Sequence, residues 1–164
     1  MLSKFLQDAI NEQINFELAS AYLYLSMSAH FEGGNLGGFA NWMRIQYNEE
    51  TTHAMKMFKY VYERGGKVTL KAVPQPATKF KTPLDVFHQV LEHEQKVTSL
   101  IHKLYELALK EKDYATQNFL QWFIKEQVEE EKNASDIINM LEMTGNTPVS
   151  LMMADRQLGA RKGD

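Results

Sequence analysis

Apolar residues recur every three or four positions along most of the chain, which is the spacing of a helix with one buried face. Glycine and proline interrupt the pattern in GGNLGG at 33–38, in RGGKVTLKAVPQPATKFKTP at 64–83 and in TGNTP at 144–148. The polar stretch KEKDYATQ at 110–117 divides the long third segment. No stretch alternates with period two over enough residues to predict a sheet. The pattern therefore predicts four long helices and a short fifth, at about 3–32, 36–64, 83–111, 113–143 and 148–159.

Residues that commonly cap helices stand at four of these predicted starts. Thr82 and Asp85 flank Pro83, so this helix is expected to begin with a capping box and with proline in its first turn. The remaining predicted caps are Asn35 for the second helix, Asp113 for the fourth and Thr147 for the fifth.

The lengths of the connections predict how the helices are arranged. Two connections are short, so the first and second helices form one antiparallel hairpin and the third and fourth form another. The connection at 65–82 has no helical period, and about 18 residues reach roughly 60 Å when extended. A helix of about 27 residues is only about 40 Å long, so this segment can run the length of the bundle. We therefore predict one all-α domain, residues 1–164: a four-helix bundle with one long crossover and a short C-terminal helix.

Composition and charge narrow the classes of function. The 164 residues are 44% hydrophobic and 24% charged, as in ordinary globular domains, and the net charge of −3 gives no reason to expect a nucleic-acid or membrane partner. There is no cysteine, which excludes disulfides, iron–sulfur clusters and thiolate zinc sites. The N-terminal stretch becomes polar too early for a secretory signal, and no apolar run is long enough to span a membrane. A cytoplasmic location is therefore expected.

One glutamate falls near the middle of the inward-facing stripe of each long helix. A buried carboxylate without a partner costs several kcal/mol, so four of them in one core need neutralising cations. No lysine or arginine occupies the stripes at this height, whereas two divalent ions would balance four negative charges. The four residues are Glu17, Glu50, Glu94 and Glu130.

Two further side chains extend this cluster. His53 follows Glu50 by one turn and Gln127 precedes Glu130 by one turn, so both neutral groups face the same interior. Carboxylate oxygens with a single imidazole and no sulfur favour iron or manganese over structural zinc. Glu-x-x-His on one helix is a weak signal, but five positions in a common phase on four helices strongly indicate a two-metal centre.

The segments that hold these residues resemble those of the prokaryotic non-haem ferritins, and the likeness runs along nearly the whole chain. They read NEQINFELASAYLYL, NEETTHAMKMF, LEHEQ and FLQWFIKEQVEEE. The resemblance implies a ferritin-like fold, iron storage, and ferroxidase activity in which O2 or H2O2 oxidises Fe2+. It also implies a hollow shell of 24 identical subunits that holds the ferric mineral.

The resemblance implies roles for individual residues. Glu50 would bridge two irons, with Gln127 alongside either as a ligand or as a hydrogen-bond donor to Glu130. Thr51 stands where the haem-binding relative bacterioferritin has a methionine, so no haem is expected. Under this assignment one iron is bound by Glu17, Glu50 and His53, and the other by Glu50, Glu94 and Glu130.

The same resemblance implies roles for four residues beside these ligands. Tyr24 lies two turns beyond Glu17 on the same face, and it would hydrogen-bond a ligand carboxylate, Glu94, and supply an electron. A third iron site between the second and fourth helices, sharing Glu130, would be formed by Glu49, Glu126 and Glu129.

The sequence leaves two other classes of function open. A di-iron oxygenase or peroxidase of the same superfamily would have similar metal ligands, but it needs a substrate pocket and an electron donor. A cytokine-like helical bundle would have apolar residues at mid-height and a secretory signal, and this sequence predicts neither. Particle size separates storage from oxygenase chemistry, because storage needs a shell whereas an oxygenase is expected to be a monomer or dimer.

Overall fold

The computed structural model describes residues 1–163 and contains five α-helices. No strand occurs among these residues, and the all-α class predicted from the periodicity is confirmed. None of the helices in the described part of the chain has the length and apolarity that crossing a membrane requires. The helices are α1 Lys4–Gly33, α2 Gly37–Glu63, α3 Pro83–Lys110, α4 Tyr114–Thr144 and α5 Pro148–Gly159.

Three of the predicted caps are present at the helix starts. At the start of α3 the Thr82 hydroxyl accepts from the Asp85 amide at 3.2 Å, and the Asp85 carboxylate accepts from the Thr82 amide at 3.1 Å. Each bond satisfies an amide that has no partner within the helix. The other two caps are Asp113, which accepts from the amide of Thr116 at 2.9 Å, and Thr147, which accepts from that of Ser150 at 3.1 Å.

The predicted cap at Asn35 is wrong. Asn35 has a φ of 58°, which is the left-handed region that asparagine tolerates in tight turns, and the residue before α2 is Leu36. Leu36 has no side chain that can cap, and the first amides of α2 are satisfied from a distant part of the chain. Asp155 of α5 accepts hydrogen bonds from the amides of Gly38 at 2.8 Å and Phe39 at 3.0 Å. The start of α2 therefore depends on the docking of α5.

The crossover at 64–82 runs along α1 and fixes the direction of α3. The side chains of Asn11, Asn15 and Ser26 hydrogen-bond backbone groups between residues 67 and 77. These contacts occur in the same order along both segments, so the crossover runs parallel to α1 over about 22 Å. As a result α1 and α4 run in one direction, whereas α2 and α3 run in the other.

The core consists of two apolar clusters separated by a polar layer. The cluster nearer α5 contains Phe31, Phe39 and Phe87, and the cluster at the other end contains Ile10 and Met57. Among the described residues, no lysine or arginine is buried. The layer between the clusters contains buried polar side chains from all four long helices: Gln13, Glu17, Gln46, Glu50, His53, Glu94, Gln127 and Glu130.

Candidate metal centre

The four long helices each deliver a glutamate to the polar layer. None of the four is more than 7% exposed, although each sits on a helix whose opposite face is in solvent. Helical periodicity explains this placement, because residues three, four and seven apart share one face. Glu17 comes from α1, Glu50 with His53 from α2, Glu94 from α3, and Glu130 with Gln127 from α4.

Three of these glutamates accept a hydrogen bond from a glutamine amide, but Glu50 does not. Among the described residues, no donor reaches either carboxylate oxygen of Glu50 or Oε2 of Glu17. Buried acceptors without a partner are rare in native proteins, and a cation is the simplest group that would satisfy these three oxygens. The three amide pairs are Gln13 with Glu17 at 2.8 Å, Gln46 with Glu130 at 2.9 Å, and Gln127 with Glu94 at 3.2 Å.

Burial and mutual repulsion raise the pKa of these carboxyl groups. Loss of solvent raises the pKa of Glu50 most, followed by the charge of Glu94. Loss of solvent and then the charge of Glu50 raise the pKa of Glu17. The pKa of Glu130 is raised to about 7, by burial first and by Glu94 second. Without cations these carboxyl groups therefore hold protons more readily than exposed glutamates do, and bound cations would favour their ionised form.

His53 completes a group of ligand atoms around the oxygens that lack donors. One ligand atom from each of Glu17, Glu50 and His53 lies within 4.8 Å of the other two. The imidazole Nδ1 is 3.8 Å from Oε2 of Glu50, and the rings of Trp122 and Phe123 pack edge-on against it. Two carboxylates and one imidazole form a donor set that suits a divalent iron or manganese ion.

Tyr24 makes the predicted hydrogen bond to Glu94. Its hydroxyl donates to Oε1 of Glu94, and the side chain is fully buried. Burial, followed by the charge of Glu94, raises the pKa of the Tyr24 phenol, so this group stays protonated and acts as a donor. The second oxygen of Glu94 accepts from Gln127, so both oxygens of this carboxylate are held in place.

The donor to Glu130 is Gln46 and not Gln127, for which the sequence leaves open either ligation of iron or a hydrogen bond to Glu130. The Gln127 amide instead donates to the Glu94 carboxylate and also reaches the hydroxyl of Thr98 at 3.3 Å. The sequence did contain a signal for Gln46, because it lies on the buried face of α2 one turn before Glu50. Its partner on α4 depends on how two helices pack, and spacing within one helix does not encode that.

Similarity to known proteins extends over the whole chain. The family model for the ferritin-like domain matches residues 7–144. The chain belongs to the ferritin family. A bacterial non-heme ferritin of Bacteroides fragilis is 45% identical over 161 residues, which is 98% of this chain and all of that protein. One from Staphylococcus haemolyticus is 40% identical over 164 residues, covering this whole chain and 99% of that protein.

Solved structures of archaeal ferritins have the same fold as this ferritin chain. An open-pore ferritin from Archaeoglobus fulgidus is 50% identical, covers 98% of both chains and has a TM-score of 0.97. An engineered closed form of the Archaeoglobus fulgidus ferritin is 49% identical, covers all of both chains and has a TM-score of 0.98. The predicted family and the predicted bundle with one crossover and a fifth helix are therefore confirmed.

Beside the buried layer, this ferritin chain has an acid-lined cavity of about 260 Å³. Glu49, Glu126 and Glu129, the three residues predicted to form a third site, line it together with Glu130 and His53. An arginine that helical spacing does not predict also reaches this cavity. Arg161, two residues after α5, donates to both carboxylate oxygens of Glu49, at 2.8 and 3.0 Å.

Proposed function

We propose that this protein stores iron and oxidises Fe2+ to Fe3+, its substrate ions binding in the buried layer. The observation that carries the proposal is Glu50, a buried carboxylate whose two oxygens have no donor among the described residues. It shares a possible metal site with Glu17 and His53, and the charges of Glu94 and Glu130 raise the pKa of its carboxyl group. Membership of the ferritin family and full-length likeness to bacterial non-heme ferritins support the same activity.

The hydrogen-bond pattern supports a specific assignment of ligands. Glu50 would bridge the two ions, because it is the one of the four glutamates for which no described residue donates a hydrogen bond to either oxygen. Gln127 is a positioning residue in this assignment, since its amide is engaged with Glu94. The first ion is held by Glu17, Glu50 and His53, and the second by Glu50, Glu94 and Glu130.

The residues around these ligands orient them and exclude water. Gln46 and Gln127 fix Glu130 and Glu94, while the Tyr24 hydroxyl holds the other oxygen of Glu94. The four negative charges of the carboxylates balance the four positive charges of two Fe2+ ions. Oxidation removes one electron from each ion and delivers both electrons to O2 or H2O2.

Storage requires a closed compartment, and we propose that 24 subunits form a shell around the ferric mineral. We call the two-ion site formed by Glu17, Glu50, His53, Glu94 and Glu130 the paired centre. The acids that line the neighbouring cavity give cations a route to this centre or a binding position beside it. We propose a third ion there, bound by Glu49, Glu126 and Glu129 and sharing Glu130.

The proposal is tested by adding Fe2+ in air and following the absorbance of the ferric product. A protein with both Glu50→Ala and His53→Ala is expected to oxidise iron at least about a hundredfold more slowly. Replacing a residue that only hydrogen-bonds a metal ligand already lowers metal affinity or activity about 10–100-fold, and this variant loses two ligands. Glu92→Ala removes an exposed glutamate of α3 and serves as the matched control, with an unchanged rate expected. Oxidation by the double variant at the wild-type rate would show that the ligand assignment is wrong.

A di-iron oxygenase or peroxidase is the alternative function. The cavity beside the centre is lined by four glutamates and an arginine, which suits small cations better than an organic molecule. The mass of the purified particle separates the two functions. A shell of 24 chains of 18.9 kDa supports storage, whereas a monomer or dimer that consumes peroxide with an organic reductant supports the alternative.

A further inference from the structure

Arg161 lies just beyond α5, and its side chain turns back onto α2. Nη2 donates to both oxygens of Glu49, and Nη1 donates to Oε1 of Gln46 at 2.6 Å. A planar guanidinium group matches two acceptors at once, so this contact has a defined geometry that a flexible lysine would not reproduce. One side chain from the C-terminal segment thus engages two successive turns of α2.

The segment that carries Arg161 is fixed at further points on the same face of α2. The backbone carbonyl of Arg161 accepts from the side-chain amide of Asn41 at 3.2 Å, and the guanidinium lies 4.7 Å from the centre of the Trp42 ring. The side chains of Arg161 and Glu49 are only 21% and 22% exposed, so salt screens their attraction less than that of a surface pair. The contact is therefore a defined resting position of the C-terminal segment.

This resting position places a positive charge where the acids of the cavity would bind a cation. Glu126 and Glu129 line the same cavity, and Glu130 and His53 connect it to the paired centre. A metal ion binds a carboxylate through its oxygen atoms, and both oxygens of Glu49 already accept hydrogen bonds from the positively charged guanidinium of Arg161, which would repel an arriving cation. The arginine and a divalent ion therefore compete for the same two atoms.

We propose that Arg161 is a built-in competitor for the third metal position, which holds Glu49 until a divalent ion displaces it. This inference rests on the proposed function and concerns the regulation of that same site. Displacement moves the guanidinium away from α2 and frees the side-chain oxygen of Gln46, whose N–H group holds Glu130. Binding of an ion at the third metal position is thereby coupled to Glu130, a ligand of the paired centre.

Calorimetric titration with Zn2+, which has no redox chemistry, tests the competition. The wild-type chain is expected to bind ions at the paired centre and a third, weaker ion. In Arg161→Ala the dissociation constant of the weakest ion should fall at least about tenfold, because no competing state remains to be displaced. Arg156→Ala removes an exposed arginine of α5 and is the matched control, with all three constants unchanged. Equal constants for Arg161→Ala and wild type would overturn the proposal.

A second measurement follows the guanidinium directly. In a Trp122→Phe background Trp42 is the remaining one of the two tryptophans, and Arg161 lies over its ring. Filling the third position with Zn2+ should change the Trp42 emission, and adding Arg161→Ala to this background should remove that change. If the third ion binds and the emission stays constant, or changes equally in both proteins, displacement does not occur. Circular dichroism establishes that each variant retains the helical content of its parent.

The outcomes separate this proposal from the proposed function. If wild type and variants bind no Zn2+ and leave Fe2+ unoxidised, the metal centre itself is absent and both proposals fail. If the paired ions and the third ion bind identically with and without Arg161, only the competition is refuted. Glu49→Gln should remove the third ion both from the wild-type chain and from the Arg161→Ala variant, while leaving the pair in place. A third ion that survives Glu49→Gln would refute the competition as well.

Discussion

Glu50 is a single residue that lowers the stability of the metal-free protein and supplies charge for binding cations. Its carboxylate is buried with no donor among the described residues, and burial together with the charge of Glu94 raises its pKa. In the metal-free protein this group weakens the fold, since it must either take up a proton or remain as a buried charge without compensation, and both are unfavourable. When cations bind, the ionised carboxylate of Glu50 attracts them, and this attraction stabilises the folded protein.

Replacing Glu50 with glutamine should therefore stabilise the metal-free protein while removing the proposed bridge. Glu50→Gln is expected to raise the free energy of unfolding by about 1 kcal/mol in EDTA, as when a strained functional group is neutralised. The same variant should lose the increase in stability that Zn2+ gives to wild type. Urea unfolding with and without Zn2+ measures both effects. Glu92→Gln, an exposed change, should leave both values as in wild type. A metal-free Glu50→Gln protein that is less stable than wild type would contradict this account.

The residues of the centre differ in how far the sequence predicts them. Glu17, Glu50 and Glu94 are predictable, because helical spacing alone places them on faces that are otherwise apolar. Gln46 lies on such a face too, but its bond to a carboxylate on α4 follows from the packing of two helices. Arg161 is the extreme case, since it follows the last helix and no periodicity relates it to α2.

At the scale of the helix, residues next to each helix start predict most of the caps. They do not predict the contact between α5 and the start of α2. Thr82, Asp113 and Thr147 cap the helices that they precede, because a cap bonds to amides two or three residues away. The start of α2 has no such neighbour and is capped by Asp155 from α5. The close approach at this point leaves no space for a side chain on Gly38, whose Cβ would lie 1.6 Å from the Asp155 carbonyl oxygen.

Gly38→Ala should therefore separate α5 from α2. The clash with the Asp155 backbone is expected to lower the free energy of unfolding by about 1–3 kcal/mol, as for other overpacked sites. Gly37→Ala is the matched control on the same turn, because a Cβ there meets nothing within 4 Å. That change should be neutral or stabilising by up to about 1 kcal/mol, since alanine favours a helix over glycine. Chemical denaturation measures both, and equal stabilities for the two variants would show that the docking of α5 tolerates a larger residue.

A second contact between helices ties the end of α2 to the start of α4. Arg64 donates to both oxygens of Asp113, at 3.0 and 2.8 Å, and this bond is the main cause that lowers the pKa of Asp113 from 3.8 to about 2. The folded pKa lies below the unfolded value. The pair therefore contributes its full stability above pH 3.8, and that contribution is lost as the pH falls towards 2.

Asp113→Asn isolates the ion pair, because asparagine caps a helix about as well as aspartate does. At pH 7 the variant should be less stable than wild type by about 1 kcal/mol, a value reduced for screening by solvent. The difference should shrink as the pH falls from about 4 to about 2. Urea midpoints of both proteins at pH 7, 4 and 3 measure it. A difference that stays constant across this range would mean that the charge of Asp113 does not act through Arg64.

At the scale of the whole molecule, the bundle leaves apolar surface exposed on one side. Tyr22 and Leu25 of α1 and Val73 of the crossover line one groove, and each is at least 36% exposed. The crossover creates this surface, because it lies alongside α1 where asparagine side chains bind its backbone. We expect that a second copy of the chain covers the groove in the proposed shell, which would remove its apolar side chains from water.

Leu25→Arg tests that role for the groove. A charge placed at the centre of an apolar contact between two copies is left without a partner, so the variant should assemble into particles far smaller than the wild-type shell. Light scattering after size-exclusion chromatography gives the mass, and circular dichroism shows whether the bundle itself remains folded. Leu25→Met keeps the apolar surface and should assemble as wild type does. A folded Leu25→Arg protein with the wild-type particle mass would mean that this groove faces solvent in the assembly and that other surfaces join the subunits.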